Sequence, residues 1–576
     1  MSGDDDFRIR PGRIRSRGSQ RALPIITQAL AAAQRAGGHV SRRGRIIARG
    51  RSTFGRGRVA SVRATHRLGH RSRQVMVKAR VVRQGGRASL AAHLNYLQRD
   101  GVTRDGAKGV LFGAEADGLD RNEFAARCEG DRHHFRFIVS PEDAPAMGDL
   151  KGFTRELMTR METDLGTRLD WRAVEHWNTD NPHVHILVRG VGEDGQNLVI
   201  SRDYIGEGIR AQAREIVTRE LGLRSDLDIR QSLERQVETE RWTEIDRDLA
   251  RTIQREGLID MAPQAGTQPD SDHALRMGRL RKLERLGLAN EIAPGQWALA
   301  GDAQAALREL GERDDIIKRM HQAMTDRGID RGAGSYVLDA APGQPVVGRL
   351  VDRGLHDELT GGAYAIVDGI DGRTHHIRFS DIDATGDCKP GAIVELRHFE
   401  DRKGRQRVAL AVRSDIDVSA QVRAPGATWL DRRNLSSDGR DLGGGFGTEV
   451  RGAMEARAEH LADEGLARRQ GQRIIFAANL IDTLRRRELD AAAKDLSAEI
   501  GLPHTPSRAG DYVAGTLRQR LTLASGRFAM IDNGLGFQLV PWSPSLDRQI
   551  GKHISGVMRS NGGVDWSFGR GLGLGL

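Results

Sequence analysis

The chain has 576 residues, which is more than one hydrophobic core usually holds, so we expect several domains. Its two cysteines, Cys128 and Cys388, exclude a disulfide framework and favour a reducing compartment, and no apolar run is long enough to cross a bilayer. The formal net charge of +11 is uneven, because residues 1–80 hold 20 Lys and Arg against three Asp and the rest is net acidic.

The first predicted element is a disordered, arginine-rich arm over residues 1–72. Its arginines alternate with Gly and Ser, a composition that does not bury a core. Because a guanidinium binds phosphate oxygens bidentately, we predict that the arm follows a phosphate backbone; the alternative is a solubilising tail without a partner. The arginines predicted to contact DNA are Arg42, Arg43, Arg45, Arg56, Arg58 and, beyond the arm, Arg99.

Residues 73–224 alternate predicted strands with predicted helices. The helix over residues 150–165 is amphipathic and stops at Gly166, and the strand over residues 133–141 stops at Pro141. We therefore expect an α+β domain in which helices flank one sheet. The other predicted strands cover residues 73–83, 170–177 and 183–190, and the other helices cover residues 88–101 and 204–221.

The remainder of the chain is predicted to hold three further segments. Residues 225–335 are helical, and within them residues 273–299 have the basic helix, Gly break and hairpin of a winged helix, either a DNA contact or a solvated charged face. Residues 336–415 are rich in β-formers and suggest a small barrel, and residues 416–576 are mixed α/β with a flexible Gly-rich linker at 436–447. No internal repeat is evident.

Three histidines carry the clearest chemical pattern. In "HWNTDNPHVHILVRG", residues 176–190, side chains of a strand alternate between faces, so His183 and His185 point the same way. If the turn pairs His176 with His183, all three imidazoles share one face and form a divalent-metal site. The alternative is that these are hydrogen-bonded core or surface histidines, and Asp180 is an ordinary turn residue or an alternative third ligand. Four other histidines are assigned structural roles: His133, His134, His375 and His376.

These residues resemble a known family. "PHVHILV" is similar to the His-hydrophobe-His motif of the HUH endonuclease superfamily, and "HWNTDNPHVH" resembles the third motif of VirD-type conjugative relaxases. The family's "YLxRxG" motif is matched by "LNYLQRDG", which makes Tyr96 the implied nucleophile, and its strand ending in Ser-Pro is matched by "HFRFIVSPED". Of five tyrosines, only Tyr204 is a second candidate within this domain. The family's frequent His-x-Asp is here His176-Trp177-Asn178, so the third ligand stays open between His176 and Asp180.

The resemblance implies an HUH-type antiparallel sheet with flanking helices and a DNA relaxase of a mobilisable plasmid or integrative element. It implies Mg²⁺ or Mn²⁺ as cofactor, attack by Tyr96 to give a 5′-phosphotyrosine, and single-stranded and supercoiled DNA at an origin of transfer as substrate. Relaxosome proteins and a type IV coupling protein are the implied partners, in the cytoplasm. The alternatives are a rolling-circle replication initiator or single-tyrosine transposase, or a non-enzymatic DNA-binding regulator.

Overall fold

A computed structural model describes most of the chain, which divides into two compact units, Met1–Arg235 and Gln236–Leu576. None of the helices in the described part of the chain has the length and apolar composition of a membrane-spanning segment. The described ranges are residues 38–40, 46–48, 56–57, 60–61, 69, 71–83, 87–179, 181–262, 272–338, 345–357, 359–400, 404–436, 442–471, 473–547, 549–560 and 562–568.

The predicted disorder of residues 1–72 is wrong at the positions that the structure describes. Strands β1 (Gly38–Val40) and β2 (Ile46–Ala48) form an antiparallel pair. Arg56 bonds through its backbone to residues 199 and 201, and the Ser61 hydroxyl donates to Asp203 O at 2.9 Å. These contacts fix part of the arm's second half on the first unit, because the chain there supplies donors and acceptors that the first unit can satisfy.

One four-stranded antiparallel sheet organises the first unit, in the order β3-β4-β6-β5. Its strands begin and end close to the predicted positions, because each is a β-rich run that a Pro, a Gly or a polar turn interrupts. The α+β class is thereby confirmed. The strands are β3 (Val75–Arg83), β4 (His133–Pro141), β5 (Trp171–His176) and β6 (His183–Arg189).

Helices cover both faces of this sheet. Two helices, α1 (Arg87–Leu97) and α2 (Arg121–Arg127), pack on the face that presents Val174 and Leu187. On the opposite face, α3 (Leu150–Leu165) and α4 (Ile209–Leu221) pack on Phe135, Phe137 and other alternate residues of the strands. Successive strand residues therefore enter different cores. A π-helical turn (Tyr204–Gly208) leads into α4, and α5 (Asp226–Val237) follows it.

Capping residues account for the boundaries of α3. The Asp149 side chain accepts from Gly152 N, and Gly166 adopts the left-handed conformation at φ 64°, which a residue with a Cβ adopts less readily. The helix therefore begins and ends where the sequence pattern places it. By contrast, α1 ends at Leu97, four residues before the predicted stop at Gly101, and α2 was not predicted.

The second unit opens with helices and a three-stranded sheet. The helix and hairpin predicted over residues 273–299 are present, and β7 joins the hairpin through β9. This order of elements is that of a winged helix. The elements are α6 (Glu244–Glu256), β7 (Ile259–Asp260), α7 (His273–Arg285), β8 (Ala289–Ala293), β9 (Gln296–Leu299) and α8 (Ala303–Thr325).

The small barrel predicted over residues 336–415 is wrong. The described strands form an open six-stranded sheet in the order β10-β13-β12-β11-β14-β15, whose edge strands β10 and β15 do not pair with each other. Strand composition and Gly turns do not distinguish an open meander from a closed one, because closure depends on tilt and stagger. The strands are β10 (Tyr336–Leu338), β11 (Val347–Asp357), β12 (Gly362–Gly369), β13 (Thr374–Phe379), β14 (Ile393–Glu400) and β15 (Gln406–Ser414).

The described part of residues 418–567 contains four helices, a hairpin and a five-stranded antiparallel sheet in the order β20-β19-β18-β21-β22. The helices are α9 (Val418–Gln421), α10 (Trp429–Leu435), α11 (Phe446–Asp463) and α12 (Leu480–Ile500). The strands are β16 (Ala467–Gln470), β17 (Arg473–Phe476), β18 (Tyr512–Leu523), β19 (Gly526–Asp532), β20 (Phe537–Pro541), β21 (His553–Met558) and β22 (Val564–Ser567).

The second unit contains an internal repeat, contrary to the expectation from sequence. Helices α6 and α7, hairpin β8–β9 and α8 recur as α10, α11, hairpin β16–β17 and α12, and the pairing order of β11 to β15 recurs in β18 to β22. The irregularities recur as well, because both central strands carry a β-bulge directly after a leucine, Leu350 in one and Leu517 in the other. We call residues 236–415 the first copy and residues 416–568 the second copy.

A buried ion pair marks the same place in both copies. Arg279 Nε lies 2.8 Å from Asp246 Oδ1, Arg457 Nε lies 2.8 Å from Asp431 Oδ1, and all four side chains are fully buried. Each aspartate also closes a capping box with the threonine three residues before it. Each arginine further donates to three carbonyls at the same spacing, those of Val237, Thr239 and Arg241 in the first copy and Val422, Ala424 and Gly426 in the second.

Candidate metal centre

Strands β5 and β6 bring the three predicted histidines to one face of the sheet. The observed register places His176 opposite His183 and Val174 opposite His185, as predicted from the turn between the strands. Because side chains alternate along a strand, these three imidazoles share the face on which α1 packs. The three histidines are buried, at 0%, 9% and 3% exposed for His176, His183 and His185.

The three imidazoles converge closely enough to share one ion. One ring nitrogen from each lies within 4.8 Å of the others, and Nε2 of His183 is 3.1 Å from Nε2 of His185. The ring centroids of His176 and His185 are 4.4 Å apart. A set of three imidazole nitrogens at these distances suits a divalent transition metal and leaves coordination positions for substrate oxygens.

Backbone carbonyls orient two of the three rings. His176 Nε2 lies 2.9 Å from Leu97 O, and His183 Nδ1 lies 2.9 Å from Asn181 O. A carbonyl only accepts, so the nitrogen facing it carries the proton and the other ring nitrogen keeps its lone pair. This is the arrangement in which metal-binding histidines are usually held, with the second N–H donated to a carbonyl or carboxylate.

The alternative ligand, Asp180, lies outside the described residues. Among the residues that the structure does describe, the group able to hold a metal consists of the three histidines and includes no carboxylate. His176 is thus a member of the described group.

The helix that carries Tyr96 ends against this centre. Tyr96 is the penultimate residue of α1, and the carbonyl of the next residue, Leu97, is the one that accepts from His176. The Tyr96 ring is half-buried, packs with the apolar cluster under α1 and lies 4.3 Å from the Arg99 guanidinium carbon. A hydrogen bond thus ties the end of the tyrosine helix to one of the histidines.

Tyr204, the second candidate nucleophile, lies on the other face of the sheet. Its ring is fully buried in the cluster formed by α3 and α4, and its hydroxyl donates to Asp164 at 2.8 Å. Burial, followed by the nearby Asp164 charge, raises the pKa of this phenol above its ordinary value. The sheet therefore lies between Tyr204 and the three histidines.

A family model described as a protein of unknown function, DUF3363, matches residues 276–406 and 396–575, which together are more than half of the chain. The chain belongs to the DUF3363 family. In this DUF3363 protein, residues 116–223 also match the MobA/VirD2-like relaxase nuclease domain. Neither the curated proteins nor the solved structures compared with the chain give a match.

The relaxase match confirms the family resemblance that the histidine motif indicates. It covers β4, β5 and β6 of the DUF3363 protein and so includes the three histidines. It begins downstream of Tyr96, but β3 and α1 belong to the same sheet and the same core as the matched strands. Residues 116–223 are thus a relaxase nuclease domain.

The arginines predicted to contact DNA fall into three groups in this DUF3363 protein. Arg42, Arg43, Arg45 and Arg58 lie outside the described residues. Arg56 pairs with Asp194 at 3.0 Å and donates to the carbonyls at the end of α3, so it serves a contact within the first unit. Arg99 lies over the Tyr96 ring, beside the candidate centre.

Two buried side chains on the histidine face, Arg136 and His93, are absent from the sequence predictions. Arg136 is 6% exposed, donates through Nε to His134 Nε2 at 3.1 Å and lies 3.5 Å from Nδ1 of His93, a residue of α1. Burial, with a smaller effect from Arg80, lowers the pKa of this guanidinium to about 10. The alternation in "HHFRF" places His134 and Arg136 on one face, and this alternation is the sequence signal that pairs the two residues.

The four histidines assigned structural roles, His133, His134, His375 and His376, lie outside the metal-binding group.

Proposed function

We propose that this protein is a site- and strand-specific DNA relaxase that nicks an origin of transfer for conjugative mobilisation. The observation that supports this proposal best is the attachment of the Tyr96 helix to His176, on the sheet face where three imidazoles converge. The match to a relaxase nuclease domain supports the same reading.

Tyr96 is the proposed nucleophile. Its phenolic oxygen attacks the phosphorus of the scissile phosphodiester after losing its proton, forming a 5′-phosphotyrosine while the bond to the 3′-oxygen breaks and leaves a 3′-OH. The half-buried ring packs against the apolar cluster under α1 and lies beneath the Arg99 guanidinium. Because the phosphodiester energy is kept in the new bond, the reverse attack rejoins a strand without ATP.

His176, His183 and His185 are the proposed metal ligands. A bound divalent ion would supply Lewis-acid stabilisation of the charge that develops on the phosphate oxygens. An all-nitrogen donor set suits Mn²⁺ or another transition ion better than Mg²⁺, which prefers oxygen ligands. Of the two predicted cofactors, we therefore favour Mn²⁺.

The proposed substrates are single-stranded and supercoiled DNA at an origin of transfer, and the proposed site of action is the cytoplasm. Accessory relaxosome proteins and a type IV coupling protein are the partners that this role requires. A rolling-circle initiator or single-tyrosine transposase would use the same chemistry. The buried thiols of Cys128 and Cys388, which form no disulfide, fit a reducing compartment.

Conversion of supercoiled plasmid to open circle tests the proposal. The plasmid carries the DNA that flanks the gene, and nicking should require Mn²⁺ and stop with a chelator. His176→Ala should lower Mn²⁺ affinity and nicking together by about 100-fold or more, because it removes a ligand and not only an outer contact. His133→Ala, which changes a histidine outside the cluster, is the matched control and should retain both.

Asp180→Ala completes the comparison. We expect a smaller loss of Mn²⁺ affinity from this variant than from His176→Ala. The reverse ranking would move the third ligand into the turn, and nicking that persists without any divalent ion would refute the metal-dependent mechanism.

A further inference from the structure

The repeat in the second unit offers two hairpins for comparison. Hairpin β8–β9 of the first copy and hairpin β16–β17 of the second copy follow equivalent helices and are anchored alike, because Ala300 N donates to Leu288 O and Ala477 N donates to Leu466 O. Counting from these anchors, Asn290 corresponds to Arg468, Glu291 to Arg469 and Gln296 to Arg473. The first hairpin carries no basic residue, whereas the second carries three.

In the first copy, acidic residues neutralise much of the basic helix that precedes the hairpin. Arg276 pairs with Asp248 at 3.0 Å, and Lys282 pairs with Glu240 at 2.8 Å. Arg285 likewise lies 3.1 Å from Glu238. Three cations of the basic helix predicted to contact DNA in this copy therefore form ion pairs within the protein.

In the second copy, two arginines stand on one exposed face of the hairpin. The register pairs Arg468 with Ile475 and Gln470 with Arg473, so these four side chains share a face, and all four are exposed. Arg468 and Arg473 are diagonal neighbours, with Cβ atoms about 7 Å apart. Within the described residues neither has a carboxylate partner, whereas Arg469, on the other face, pairs with Glu459 at 3.0 Å.

We propose that the exposed face of hairpin β16–β17 binds duplex DNA. Two unneutralised guanidinium groups on a rigid ribbon match phosphate oxygens, and the major groove of B-DNA is wide enough to admit a two-stranded ribbon. The face presents no aromatic ring for stacking unpaired bases, which disfavours single strands. The deep, narrow major groove of duplex RNA disfavours RNA. This activity is separate from strand cleavage.

Binding of the full-length chain to a short duplex of mixed sequence, measured over a salt series with chelator present, tests the proposal. The variant Arg468→Asn with Arg473→Gln installs the residues of the first hairpin. It should bind the duplex about tenfold more weakly and flatten the slope of log affinity against log salt by about 2, because each lost phosphate contact contributes about 0.9.

The matched control applies the same change of charge to the other hairpin. Asn290→Glu with Gln296→Glu also lowers the net charge by two, and it should leave the affinity and the salt slope near those of the parent. Equal losses in both variants would show that only net charge matters, and an unchanged slope in the first variant would show that the ribbon makes no phosphate contact. Either result overturns the proposal.

Two further measurements separate this proposal from the nuclease function. Both variants should unfold at the parent's temperature and nick supercoiled plasmid at saturating protein as the parent does, because the changed residues lie outside the nuclease domain. Loss of affinity for a single-stranded oligonucleotide equal to the loss for the duplex would assign the ribbon to single strands and contradict the proposal. If the parent does not nick at all, the duplex measurement still stands.

Discussion

His134 is a buried histidine on the same sheet face as the candidate metal centre. Burial, followed by the Arg136 charge, lowers its pKa to about 3, so the folded protein holds the ring neutral where it accepts from Arg136. In the unfolded chain the ring regains an ordinary pKa of about 6.5. The unfolded state therefore takes up a proton first as the pH falls, and stability is lost from about pH 6.5 downward.

This linkage predicts how stability depends on pH. At pH 5 the folded protein should lose about 2 kcal/mol relative to pH 8 through His134 alone. His134→Gln keeps an acceptor for Arg136 and removes the titrating ring, so its unfolding midpoint should fall less between pH 8 and pH 5 than the parent's does. Thermal unfolding at both pH values measures the difference, and identical pH dependence in the two proteins would contradict this assignment.

Much of the candidate centre was predictable residue by residue. Alternation along a strand places His183 and His185 together, and the short polar turn fixes His176 opposite His183. The separation of Tyr96 from Tyr204 was not predictable from pattern alone, because the face on which a helix packs depends on contacts distant in sequence. The burial of Arg136 was not predictable either, because an arginine in a strand usually indicates a solvated face.

At the level of helices and strands, the buried Asp–Arg pairs should contribute equally to the stability of the two copies. Arg279→Met leaves Asp246 buried without its partner and should destabilise the second unit by about 3–5 kcal/mol. Arg457→Met should do the same through Asp431. Adding Asp246→Asn to Arg279→Met should recover part of the loss, because an amide keeps the capping contact without a buried charge.

An exposed ion pair in the same unit, Arg469–Glu459, provides the control. Arg469→Met removes the partner of Glu459, whose side chain is 63% exposed, and should cost less than about 1 kcal/mol. Urea unfolding of the five proteins measures the order. A cost for Arg279→Met as small as that for Arg469→Met would show that the buried pair does not anchor the copy.

The repeat itself was missed because few residues are shared between the copies. The threonine-x-x-aspartate boxes at 243–246 and 428–431 and the "GLA" triplets at 287–289 and 465–467 were available, but each is too short to distinguish from chance. The Gly-rich composition of residues 436–447 predicts a flexible linker, yet Phe446 is fully buried and a Cβ on Gly447 would lie 2.3 Å from Ile370 O. Gly447 is thus required by close packing against the Ile370 carbonyl and not by chain flexibility.

At the scale of the whole molecule, the concentration of positive charge near the start of the chain should set general affinity for DNA. Because Arg56 and its neighbours are bonded to the first unit, a deletion that tests the arm must stop at residue 55. The shortened protein should bind all DNA more weakly and show a flatter salt dependence, since phosphate contacts release counterions. Fluorescence anisotropy over a salt series measures this, and an unchanged slope would exclude the arm from DNA binding.

Composition and pattern predict only part of the organisation of the whole chain. Length and charge predicted several domains and a basic arm, and strand and helix patterns predicted the α+β sheet of the first unit. The open form of the sheet over residues 336–414 was not predictable, because the choice between an edge and a closed barrel depends on the stagger of strands far apart in sequence.

The most direct measurement is the identity of the residue that becomes joined to DNA. Protein, Mn²⁺ and a single strand that carries the cognate site and a label on its 3′ side are incubated, denatured and digested, and the modified peptide is mapped by mass spectrometry. We predict the label on Tyr96, no adduct from Tyr96→Phe, and a normal adduct from Tyr204→Phe, because the Tyr204 hydroxyl faces Asp164 on the other side of the sheet. A label on the Tyr204 peptide, or an adduct that survives in Tyr96→Phe, would contradict it.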